Sequence, residues 1–150
     1  MSAGNALDLV APEPAEGYRL QEQIGFVLRK AHQRHVAIFA SKIDDLTPPQ
    51  FATLAKLADV GETSQNQLGN LVAMDAATVK GVIDRLKARG LVELTRHDGD
   101  KRRLLVSLTG EGRETVERLV PLAERITVET LAPLSRKEAA TLLKLLARIA

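Results

Sequence analysis

The chain has 150 residues, of which 45% are hydrophobic but only 3% aromatic, so one domain with an aliphatic core is expected. It has no cysteine, which excludes disulfides, thiolate catalysis, cysteine-zinc sites and thiol redox sensing, and fits a cytoplasmic protein. The net charge of +2 is uneven: residues 1–77 hold 6 Lys/Arg and 9 Asp/Glu, residues 78–110 hold 8 and 4, and residues 111–150 hold 7 and 6. A cation excess in one segment suits a polyanionic partner, although a solvated basic face would give the same count. No run of about 18 apolar residues is present, so no membrane partner or span is expected. The N-terminus lacks the basic and apolar regions of a secretory signal.

Residues 1–16 carry Gly4, Pro12 and Pro14 with little periodicity and are read as a flexible arm. A long helix is predicted from Tyr18 to Ile43, with Leu20, Ile24, Val27, Ala31, His35 and Ile38 along one stripe. Its apolar surface exceeds what a small domain covers alone and calls for a second subunit. After a break at Asp44–Leu46, Thr47 caps a helix that opens with Pro48 and Pro49 and stops at Gly61. Ser64 with Gln67 reads as a capping box opening a short helix, and Asp75 caps the next.

That next helix buries Val79, Val82, Ile83 and Leu86 on one face. Ala77, Gly81, Asp84 and Ala88 lie opposite, where small side chains let another surface approach the backbone. Gly90 ends it. Strand-like runs Leu91–Arg96 and Arg103–Leu108 then flank the polar segment 97–102 as a hairpin. Thr109 caps a long helix to Leu131 that contains Pro121, where a bend is expected. Ser135 and Glu138 form a second capping-box pair before a Leu-rich terminal helix. The fold class is mainly α: a winged helix-turn-helix with outer helices.

The segments Ser64-Gln65-Asn66-Gln67-Leu68-Gly69, Asp75 to Val79, Ile83-Asp84-Arg85-Leu86 and Arg89-Gly90-Leu91-Val92 occur in that order. Asp98-Gly99-Asp100-Lys101-Arg102-Arg103, Val106-Ser107-Leu108-Thr109 and Gly112-Arg113 follow. This ordered set, over residues 46–113, resembles the MarR family of bacterial transcription regulators. The resemblance implies a homodimer: residues 17–45 and 110–150 would supply dimerisation helices, and residues 46–109 the DNA-binding domain. It implies a repressor on a pseudo-palindromic double-stranded DNA operator, released by a small ligand. It also implies that Asp100 orients a basic side chain and that Arg102 enters the minor groove.

The DNA-contact candidates are Ser64 and Gln65 at a helix N-terminus, and Ala77, Thr78, Lys80, Gly81 and Arg85 on the recognition helix. Asp100, Lys101, Arg102 and Arg103 are the candidates on the wing. Arg85 and Arg89 have an alternative role, pairing with Asp84, Glu93 or Asp100 inside the domain. His32, Arg34, His35 and Phe39 are the ligand candidates. Three of them have a plainer reading, as a core hydrogen bond for His35, a salt bridge across the dimer for Arg34 and core filling for Phe39. The stretch Phe26–Arg34 is similar to regulators of aromatic-acid degradation, some of which sense coenzyme A thioesters. No cofactor, metal or enzymatic activity is expected, because no phosphate loop, nucleophile elbow or metal-spaced ligand set is present. Two other readings stay open: an architectural DNA-binding protein without sequence preference, and a winged-helix module for a protein partner.

Overall fold

The computed structural model describes residues 17–97 and 100–150, with the side chains of 97 and 100–103 excepted. The expected N-terminal arm and the hairpin tip at 98–99 lie outside the described residues. The chain divides into two compact units, one ending at Arg34 and the other running His35–Ala150.

The first helix starts later than expected. A 3-10 turn at Leu20–Glu22 leads to Gln23, which is extended (φ −87°, ψ 135°), and helix α1 spans Ile24–Lys42. The Gln23 side-chain amide donates to the Arg19 carbonyl, closing that turn separately from the helix. Helix α2 (Pro48–Val60) has a complete capping box, in which Thr47 accepts from the Gln50 backbone and the Gln50 side chain accepts from Thr47. Strand β1 (Thr63–Ser64) was not expected; two residues are too few to alternate. Ser64 belongs to it, opposite Leu105, and also caps helix α3 (Gln65–Leu71). Only one half of its expected capping box forms, the bond from the Gln67 N–H to Ser64 Oγ.

Ala73, at φ 57°, turns the chain between α3 and helix α4 (Ala76–Ala88). Strands β2 (Val92–His97) and β3 (Asp100–Leu108) form the expected antiparallel hairpin, with β3 starting three residues earlier than predicted. The sheet order is β1-β3-β2. Helices α5 (Gly110–Leu131, with Pro121 inside) and α6 (Arg136–Ile149) close the chain. Thr109 caps α5, and Ser135 with Glu138 forms a full capping box on α6.

One aliphatic core joins these elements within the His35–Ala150 unit. It contains Ile43, Leu54, Leu57, Leu68, Val79, Ile83, Leu86, Val106 and Leu119, all nearly inaccessible to solvent. Phe39 is buried with them and meets Phe51 edge-on, their ring centroids 6.3 Å apart. In contrast, α6 buries none of its residues.

Candidate nucleic-acid interface

Helix α4 is anchored by the four side chains that its periodicity singled out: Val79, Val82, Ile83 and Leu86 are all at most 5% exposed. Burying one stripe fixes the rotation of the helix, so its other face must be presented outward. That face carries exposed Ala77, Thr78, Lys80, Asp84 and Arg85, with Gly81 half-buried among them. The N-terminus is held by Asp75, whose carboxylate accepts from the Thr78 backbone at 2.8 Å. The Thr78 backbone bond, then a bond from the Thr78 side chain, hold the Asp75 carboxyl below its ordinary value. It is therefore ionised at neutral pH, where its charge complements the helix dipole.

The cations on this face differ in their partners. Lys80 Nζ lies 2.8 Å from Asp84 Oδ2, one turn along the exposed surface. Arg85 has no ion-pair partner among the described residues and projects beside Gly81. Ser64 and Gln65, both half-buried, sit at the start of α3. The backbones of Asp100, Lys101, Arg102 and Arg103 belong to β3, and their side chains lie outside the described residues.

Arg89 corrects an expectation. Among the described side chains its acidic partner is neither Asp84 nor Glu93 but Asp45, in the link between α1 and α2; the side chain of Asp100 lies outside the described residues. Arg89 donates to the Asp45 carbonyl and lies 3.6 Å from the Asp45 carboxylate, which Arg118 of α5 approaches at 3.7 Å. The exit of α4 is thus tied to the α1–α2 link and, through the same acidic residue, to α5. Sequence reasoning missed Asp45, because no local spacing relates positions 45 and 89.

The exit of α4 is closed a second time around Thr109. Gly90 adopts φ 73°, a conformation that suits glycine, and its carbonyl accepts from the Thr109 hydroxyl at 2.6 Å. The same hydroxyl oxygen accepts from the Gly112 N–H, and the Thr109 N–H donates to Leu91.

Gly81 offers a test of what the outer face is for. A Cβ placed there would meet only Arg85 Nη1, at 3.8 Å, so nothing within the protein requires glycine. An interior helical glycine costs about 1 kcal/mol relative to alanine. Gly81→Ala is expected to raise stability by up to about 1 kcal/mol in urea unfolding while weakening duplex binding in an anisotropy titration. Unchanged affinity would remove Gly81 from the interface.

The ligand candidates are dispersed in character. His32 and Arg34 are exposed on α1. His35 is half-buried, its Nδ1 lying 3.0 Å from Thr130 Oγ1. Thr130 gives its own hydroxyl proton to the Ile126 carbonyl, so His35 Nδ1 is the donor to Thr130 Oγ1. Phe39 is a core residue.

The family model described as MarR family matches residues 44–103. The HTH-type transcriptional repressor NicR of Pseudomonas putida is 40% identical over 141 residues, covering 93% of this chain and 89% of NicR. The structure of BpsR from Bordetella bronchiseptica, whose DNA binding is regulated by 6-hydroxynicotinic acid, is 44% identical with a TM-score of 0.85. That match covers 89% of this chain and 96% of BpsR. A MarR variant from E. coli, complexed with operator DNA, is 26% identical with a TM-score of 0.78, covering 84% and 92%. The winged architecture and these nearly full-length matches agree: the chain belongs to the MarR family and is a DNA-binding transcription regulator.

Proposed function

We propose that the protein is a homodimeric repressor that occupies a pseudo-palindromic operator and is released by an aromatic acid. The observation that carries this reading is the orientation of α4, whose burial turns Lys80, Arg85 and a strip of small residues outward. A helix of this kind fits the major groove, and a basic hairpin beside it reaches the flanking backbone or minor groove. Ser64, Gln65, Ala77, Thr78, Lys80, Gly81 and Arg85 form the proposed contact set, with Asp100, Lys101, Arg102 and Arg103 from the wing. Two such helices in one dimer would read two half-sites. The exposed leucines of α6 supply an apolar surface for that dimer. Such a repressor works in the cytoplasm.

For the effector, regulation of BpsR by 6-hydroxynicotinic acid supports a hydroxylated aromatic carboxylate as the first compound to test. A coenzyme A thioester of such an acid is the second. His32, Arg34 and His35 are the cationic and hydrogen-bonding groups proposed to receive it. A ligand releases DNA only if it binds the DNA-incompetent state better.

The test is fluorescence anisotropy with duplexes tiled across the gene's own upstream region, against a scrambled duplex at fixed salt. One palindromic duplex should bind at least about a thousandfold more tightly than the scrambled one. Adding 6-hydroxynicotinic acid should then lower the anisotropy. Equal binding to every duplex would favour an architectural protein. No binding in the absence of acid would favour a protein partner for the wing.

A further inference from the structure

Helix α4 contains a single acidic residue, Asp84. It stands on the outward face with Ala77, Gly81 and Ala88, and its side chain is 55% exposed. Among the described residues its ion-pair partner is Lys80. Helix stability does not account for it. Aspartate is a poorer helix former than most residues. The pair runs cation first, the less favourable order at this spacing. An exposed pair of this geometry contributes little.

A carboxylate on a face that meets DNA is repelled by phosphates and by the acceptor atoms of most base edges. In the major groove it gains a partner at an exocyclic amine, above all N4 of cytosine. We infer that Asp84 is a specificity-determining residue: it selects a cytosine at its operator position and holds Lys80 off the phosphates of sequences without one. On a matched site the carboxylate accepts from the cytosine amine and Lys80 turns to the backbone. On an unmatched site the ion pair either persists, removing a phosphate contact, or breaks and leaves the carboxylate facing acceptors. This inference rests on α4 being the DNA-reading helix.

The experiment is selection from a randomised duplex pool with the wild-type protein, with Asp84→Ala and with Asp84→Asn. Anisotropy titrations follow on the selected duplex, on its cytosine-to-thymine variant and on a scrambled duplex. Thymine replaces the amine with an acceptor. For the wild type, that replacement should weaken binding about 5- to 140-fold at one symmetric position. Asp84→Ala should reduce the ratio to within about twofold and tighten binding to scrambled DNA. Asp84→Asn, which keeps the size, should move the preference toward adenine. Lys80→Ala should weaken the selected duplex more than its thymine variant or scrambled DNA, and flatten the salt dependence on the selected duplex, without changing the motif. An unchanged cytosine preference in both Asp84 variants would overturn the inference while leaving the regulator reading intact. A wild-type protein that enriches no motif would overturn both.

Discussion

Gly112→Ala is expected to destabilise the protein by about 3 kcal/mol, a melting-temperature drop of about 10 °C. The first turn of α5 passes directly over the backbone between α4 and β2. A Cβ on Gly112 would stand 2.0 Å from the Leu91 carbonyl oxygen and 3.3 Å from a Leu108 methyl. The obstructing atom is backbone, so no rotamer change relieves it. Nor can the helix simply lift away. The Gly112 N–H is bonded to Thr109 Oγ1, and the Leu91 carbonyl accepts from the Thr109 N–H at 3.1 Å. The control is Gly110→Ala, two residues earlier, where an added Cβ meets nothing within 4 Å. That change should be neutral or stabilising by up to about 1 kcal/mol. Equal melting temperatures for the two variants would show that the close approach is relaxed in solution.

The second large effect is on assembly. Leu145 and Ile149 are 49% and 67% exposed, and they share a stripe of α6 with Leu142. For an isolated chain, replacing both with glutamate would change stability by about 0.5 kcal/mol or less each. For a dimer held through this stripe, it would place four carboxylates in an apolar interface. The expected result is a mass in light scattering that falls from twice 16.3 kDa to 16.3 kDa. Operator affinity should fall with it by about a hundredfold or more, because the second half-site contact is no longer intramolecular. A variant that keeps the double mass would place the interface elsewhere.

Much of the DNA-reading fold is legible because it is encoded locally. Caps at Thr47, Asp75, Thr109 and Ser135 are each read from one residue and its neighbours, and all four accept the backbone bond expected of them. The inward face of α4 follows from the spacing of four aliphatic residues. What escaped the sequence depends on distant partners. Strand β1 exists because Thr63 and Ser64 find Val106 and Leu105, more than forty residues later. Arg89 found Asp45 rather than Asp84 or Glu93, because the α4 exit faces the α1–α2 link. The surplus of apolar residues on α6 was readable, and so was the outward side of Asp84, whereas its pairing with Lys80 was not.

The bonds around Thr109 and the Asp45 bridge leave little slack between α4 and α5. The recognition helix, 13 residues long, is therefore a lever about 20 Å in length, with its fulcrum at Gly90. Turning α5 by roughly 10° would sweep the far tip, near Asp75, through about 3.5 Å, close to the rise of one base-pair step. In the dimeric repressor proposed above, the reading helices can be put out of register with their half-sites without deforming the winged unit at all. The work asked of an effector is then the rotation of a rigid part, not the unpacking of a core.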